Sequence, residues 1–244
     1  MKIDYQLQKK ASGLRSDLKI GPKDPIQFKS LLVGQNILTV YKVLSDTFSG
    51  MSFKTGDNKF MLINSSQPIG RQNFTICHEL YHLFVQEDFI THTCNTGQFN
   101  RKNRTEYDAD RFASYLLMPV EGLLELIPDP ELRKKNCITL ATILKIEQYF
   151  GCSRTALLYR MDCMDLIDAD NYEGYKSDIV KEARHYGFDT SLYLPGNKGL
   201  VIGNYGIIAR ELFNKGKISE SHYVCLMQDI GVDVDNENVE DGEK

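Results

Sequence analysis

The segment Phe74-Thr75-Ile76-Cys77-His78-Glu79-Leu80-Tyr81-His82-Leu83-Phe84 most limits how this chain can fold. It contains His-Glu-x-x-His, and residues four apart in an α-helix lie one above the other on the same face. Both imidazoles can then reach one cation at about 2.0–2.1 Å. Glu79 follows the first of them, so it stands beside such a cation and can take a proton from a cation-bound water. Ile76, Leu80, Leu83 and Phe84 surround the helix with apolar residues, which suits a helix packed into a core.

A catalytic zinc usually takes three protein ligands and leaves one position open. The helix expected over Thr105–Met118 supplies the third. Its apolar stripe is Ala109, Phe112, Ala113, Leu116 and Leu117, and Glu106 precedes them by helical steps of three and seven. A carboxylate on a buried face is costly unless a cation compensates it, and a zinc ion held by His78 and His82 would do so. Asp110, one turn on, faces nearly the same way. It is the candidate acceptor for the other ring N–H of a ligating histidine, with a solvated helix aspartate as its plain alternative. Asp108 points about 160° away from Glu106 on an ideal helix. His92 and Cys94, in the segment after the first helix, are competing ligands.

The rest of the chain reads as α+β and mostly helical, with a small antiparallel sheet packed beside the His-Glu-x-x-His helix. The spacing predicts a helix over residues 4–18, then Asp24-Pro25 as N-cap and first helical residue of a short second helix. Strands are expected at Ile37–Val43, Phe48–Thr55 and Lys59–Asn64, the last two joined by Gly56-Asp57-Asn58 and all three forming an antiparallel meander. A loop is expected over 87–104. Helices follow at Val120–Leu126, Thr139–Phe150, Ser153–Met161, Tyr172–Tyr186, Tyr205–Phe213 and Glu220–Ile230. This divides the chain into a domain over 1–164, including a helix-turn-helix-like part at 138–164, a small helical region over 165–231, and an acidic tail over 232–244 expected to be disordered.

These segments together resemble the ImmA/IrrE family of metallopeptidases. The resemblance rests on Arg71-Gln72-Asn73-Phe74-Thr75, on His78 to His82, and on Glu106, Ala109, Phe112 and Ala113 ending at Leu116-Leu117-Met118-Pro119. It also touches the Leu14-Arg15 helix, the Pro25 helix and the Ser49-Gly50 strand. Glu106-x-x-Ala109-Asp110 is similar to the ligand helix of thermolysin-like gluzincins, where an acid one turn on supports a zinc histidine. The resemblance implies an endopeptidase with one zinc ion per chain, cutting a helix-turn-helix repressor of the Xre type and so relieving repression, in bacteria or mobile elements. Residues 165–244 match no part of that pattern.

In this reading His78, His82 and Glu106 bind zinc and Glu79 is the general base. Tyr107, Arg101 and His92 are candidates for stabilising the oxyanion, and the strand ending at Asn64 is a candidate for binding an extended substrate by strand addition. Two other functions compete. Residues 138–164 suggest a DNA-binding regulator, but between Ile138 and Met164 the basic residues are Lys145, Arg154 and Arg160, against Glu147 and Asp162. The whole chain carries a formal net charge of -4, a poor match for a phosphate backbone. The third reading is a metal sensor without turnover, whose structural zinc would ordinarily have four protein ligands. The N-terminus does not read as a secretory signal, no segment is apolar enough to span a bilayer, and the six cysteines include no Cys-x-x-Cys pair. The expected setting is the cytoplasm, with reduced thiols and no membrane partner.

Overall fold

The computed structural model describes residues 4–87, 91–94, 96–97, 99 and 102–234. The fold is α+β and mostly helical. Helix α1, Tyr5–Asp17, starts where the Asp4 side chain accepts from the backbone N–H groups of Gln6 and Leu7, an ordinary N-cap. It buries Leu7, Ala11 and Leu14. Helix α2, Phe28–Gly34, begins later than Asp24-Pro25 suggested. The buried Arg15 guanidinium donates to the carbonyls of Gly21, Asp24 and Leu116, so residues 21–24 form a clasp around a cation and not a helix start.

Among the described residues, five strands make one sheet: β1 (Ile37–Lys42), β2 (Gly50–Thr55), β3 (Asn58–Asn64), β4 (Thr91–Cys94) and β5 (Val201–Ile202), in the order β4-β2-β3-β1-β5. Strands β2 and β3 are the expected hairpin, with Thr55 opposite Asn58 and Gly56 at φ 55°, a left-handed conformation that glycine adopts at little cost. The meander is corrected: β1 runs parallel to β3, with Ile37 opposite Lys59. The segment 43–49 hops across the end of β3 to reach β2 on its far side. Asn64 holds that crossover. Its amide nitrogen donates to the carbonyls of Ser45 and Phe48 at 2.9 and 2.8 Å, and its Oδ1 accepts from Leu44 N at 3.0 Å. Strand β4 lies within the span expected to be loop, antiparallel to β2.

Helix α3, Ile69–Phe84, carries the histidine motif and is buried on nearly every side, as a helix at the centre of a domain should be. It packs on the sheet through Gly50, where an added Cβ would stand 2.6 Å from Thr75 Cγ2 and 3.5 Å from Glu79 Oε1. Helix α4, Arg104–Leu117, lies against it, its start capped by the Asn103 side chain. Then come α5 (Val120–Leu126), α6 (Asp129–Leu132), α7 (Leu140–Phe150) and α8 (Arg154–Cys163). Beyond them the helix expected over Tyr172–Tyr186 is two pieces, a 3-10 helix at Ala169–Lys176 and α9 at Ile179–His185. Asp178 stands between them at φ 53°, which no continuous right-handed helix accommodates.

The main core does not stop at residue 164. Ile167, Tyr172 and Ile202 belong to it, and β5 closes the sheet beside β1, with Ile202 opposite Thr39. Helices α10 (Tyr205–Asn214) and α11 (Glu220–Asp229) form a separate hairpin, around Ala209, Tyr223 and Met227. Val232 and Val234 pack against that small cluster, which corrects the start of the expected disordered tail: two valines two apart give this end an apolar face. Residues 235–244 of that tail lie outside the described residues. Among the described residues no helix is long and apolar enough to cross a membrane.

Candidate metal centre

Helices α3 and α4 bring four of the five expected residues together at one point. His78 Nε2 and His82 Nε2 stand 3.1 Å apart. The Glu106 carboxylate bridges them, Oε2 at 3.2 Å from His78 Nε2 and Oε1 at 3.4 Å from His82 Nε2. Both imidazoles are buried, and Glu106 is 17% exposed in its side chain. Ala109 and Ala113, both fully buried on α4, are small enough for the two helices to approach closely.

The outer ring nitrogens are fixed as well. His78 Nδ1 donates to Asp110 Oδ1 at 2.9 Å, since an ionised carboxylate can only accept. That leaves Nε2 unprotonated and able to ligate when the ring is neutral. His82 Nδ1 donates to Gln86 Oε1 at 2.5 Å, which does the same for the second imidazole. Asp110 is held in turn: its Oδ1 accepts from Gly97 N and its Oδ2 from Phe99 N, both at 2.8 Å. Two buried imidazoles that point Nε2 at a shared carboxylate form a donor set that suits a divalent cation, which would displace any proton held there, and His78, His82 and Glu106 could hold one.

The titration of these groups reflects this crowding. Burial opposes charge on His78, but its bonds to Asp110, Cys94 and Glu106 outweigh that and raise its pKa well above the ordinary imidazole value. Burial opposes charge on Glu106 too, yet the two histidines hold its carboxyl well below the usual range.

Glu79, the fifth residue, is fully buried and reaches the sheet while its carboxylate stays within 4.8 Å of a His78 ring nitrogen and of Cys94 Sγ. Its Oε2 accepts from Ser52 Oγ at 2.6 Å and its Oε1 from Cys94 Sγ at 2.5 Å. Burial and the neighbouring Glu79 carboxylate push the Cys94 thiol up, so it is a protonated donor. Glu79 therefore has a donor on each oxygen, from β2 and from β4. Ser52, Cys94 in this role, and Gln86 escaped the sequence reading. Gln86 had a signal, lying four residues after His82, just past the end of α3.

Tyr107 lies under the Arg111 guanidinium and bonds Tyr159. Asp108 pairs with Arg104 at 3.3 Å, in keeping with its outward direction. The side chain of His92 and the whole of Arg101 lie outside the described residues. Strand addition at β3 is corrected: β3 is paired on both sides, to β2 and to β1, and has no edge to offer. The edge beside the site is β4.

An α+β domain whose central helix sets His78 and His82 against a carboxylate from the next helix has the build of a metallopeptidase domain. The family model of the IrrE N-terminal-like domain, peptidase family M78, matches residues 35–162. The chain belongs to that family. The match takes in α7 and α8, so the helix pair read above as helix-turn-helix-like is part of the peptidase domain. No curated protein matches the chain.

Proposed function

We propose that the chain is a zinc-dependent endopeptidase acting on a specific protein substrate, a helix-turn-helix repressor of the Xre type, whose cleavage relieves repression. The observation that carries this reading is the convergence of His78 Nε2, His82 Nε2 and the Glu106 carboxylate within 3.1–3.4 Å in a peptidase-family domain. His78, His82 and Glu106 hold one zinc ion, and Asp110 and Gln86 orient the two imidazoles. Bound there, zinc would polarise the scissile carbonyl and acidify a water. Glu79 takes the water proton and returns it to the leaving amine. Ser52 and Cys94 aim its carboxylate. The edge strand β4, whose Cys94 touches Glu79, takes the substrate backbone as an added strand. We put this chemistry in the cytoplasm, where a transcriptional repressor would be met.

The DNA-binding alternative is disfavoured by α8, the helix that would read bases. Arg154 and Arg160 are buried, and Thr155 is its one exposed residue.

The test is incubation of the metal-loaded protein with Xre-type repressors of the same genome, read by mass spectrometry, next to the Glu79→Gln variant. Glu79→Gln keeps the side-chain volume and the bound zinc, and cleavage falls by about 10²–10⁴. Zinc content drops sharply in His78→Ala, His82→Ala and Glu106→Ala. If Glu79→Gln relieves repression in cells as well as the wild type does, peptidase chemistry is not the function.

A further inference from the structure

Cys94 ends β4 with its sulfur buried inside the site. Its Sγ donates to Glu79 Oε1 at 2.5 Å and to the Gly50 carbonyl at 3.2 Å, and it also bonds His78. The sulfur is therefore more than a support for Glu79. Two sets of metal-ligating atoms meet at this point, His78–His82–Glu106 and His78–Glu79–Cys94, and within each set all the atoms lie within 4.8 Å of one another. His78 belongs to both. Its Nδ1 is taken by Asp110, which leaves Nε2 as the atom both sets can share. An ion on His78 Nε2 thus has a thiol for a neighbour.

Glu79 and Cys94 are unequal candidates for such an ion. Glu79 is tied to β2 by Ser52 Oγ at 2.6 Å. A cysteine sulfur is the softer donor, and zinc accepts it readily at about 2.3 Å. The strand that carries it is four residues long and lies at the sheet edge, paired to β2 with Cys94 opposite Gly50. A short edge strand can make the small shift that coordination requires.

We infer that Cys94 is a displaceable fourth ligand of the metal, closing the centre at rest and passing its proton to Glu79. This rests on the zinc peptidase proposed above. The atoms balance. The S–H bond breaks, since a coordinating thiol is deprotonated outright. The proton goes to Glu79 Oε1, the acceptor already 2.5 Å away, and the sulfur electron pair forms the bond to the ion. The negative charge moves from carboxylate to sulfur, so the net charge of the pair is unchanged.

Two blocks result. Four protein ligands leave no open position, and a protonated Glu79 cannot act as a base. Both lift together when a substrate backbone displaces the sulfur. The proton then returns from Glu79 to Cys94, and Glu79 regains its second hydrogen-bond donor. The strand that would take the substrate is the strand that carries the latch.

The test uses the full chain loaded with cobalt(II) in place of zinc. A cobalt–sulfur bond absorbs strongly in the near ultraviolet by charge transfer, which imidazole and carboxylate ligands do not. The visible bands report bound cobalt in either case. The wild type should show the sulfur band, and Cys94→Ser should lose it while keeping the visible bands. Serine still offers a donor to Glu79, so this variant should fold. Cys77→Ser, at the buried cysteine next to His78, should keep the sulfur band. Zinc affinity of Cys94→Ser, measured by chelator competition, should fall at least as far as on loss of a supporting partner, about tenfold. Infrared difference spectra, zinc-loaded minus metal-free, should show a protonated carboxyl that is absent in both Glu79→Gln and Cys94→Ser. Cobalt bound without a sulfur band, or a band that survives Cys94→Ser, overturns the ligand. A sulfur band with no carboxyl signal overturns the proton transfer. A chain that takes up neither cobalt nor zinc sinks the peptidase reading itself, a result distinct from metal bound without sulfur.

Discussion

Single side chains decide whether the metal is held, and how its affinity varies with pH. Asp110→Ala removes the acceptor that keeps His78 Nδ1 protonated and its ring in line. Metal affinity should fall about 10–100-fold, and chelator competition would measure it; unchanged affinity would return Asp110 to a merely structural part. The pH dependence follows from the two shifted groups. The pKa of His78 is raised above the ordinary imidazole value of 6.5, so its stabilising contribution is complete below that value and is lost as pH climbs through the raised one. Glu106 is lowered from 4.5, so its contribution is present above 4.5 and is lost as pH falls through the depressed value. In the proposed site, zinc would have to displace the proton from His78. The gain in melting temperature on adding zinc should therefore grow from about pH 5 to pH 8, and a gain that shrinks over this range would contradict it. His78, His82, Glu106 and Asp110 were legible in the sequence because helical spacing alone puts them on facing stripes. Ser52 and Cys94 were not, since they reach Glu79 only through the pairing of β2 with β4, and no local pattern encodes that.

Among the elements, the closeness of α3 to β2 depends on one residue without a side chain. Gly50→Val would drive methyl groups into Thr75 and toward Glu79. Overpacking of this kind costs about 1–3 kcal/mol, readable as a lower urea midpoint, and activity should fall further because Ser52 moves off Glu79. A second element-scale contact joins α7, α8 and α9. The buried Arg154 pairs with Glu147 and, at 3.0 Å, with Glu182, while Tyr193 donates to Glu147 at 2.8 Å. Arg154→Ala would leave Glu147 buried without its cation, a loss of about 3–5 kcal/mol; a change below about 1 kcal/mol would mean that water reaches Glu147. Most helices were legible because their apolar periods are long. Strand β4 was not: Thr91-His92-Thr93-Cys94 has no apolar alternation, and only the free edge of β2 makes it a strand. The break at Asp178 was hidden because the helical period runs on through a left-handed residue.

For the whole molecule, the sequence suggested a boundary near 164, where the family pattern ends, but burial continues past it. A chain ending at Met164 loses Ile167, Tyr172 and Ile202 from the core, the β5 pairing and the Glu182 partner of Arg154. It should show no cooperative unfolding transition. A chain ending at Gly203 loses only the α10–α11 hairpin, a cluster of its own, along with the exposed Lys42–Asp229 pair. It should melt cooperatively and keep its zinc. If both truncations behave alike, the two cores are not independent.

The pairing of Thr39 with Ile202 also bears on how the protein is made. A ribosome delivers β1, β2 and β3 long before it delivers the strand that covers the outer edge of β1. Throughout that interval the nascent chain presents a row of unpaired backbone groups, the kind of template on which neighbouring chains aggregate. Slow translation past residue 164 would lengthen the interval, so the yield of folded protein should depend on codon choice in the last third of the gene more than in the first.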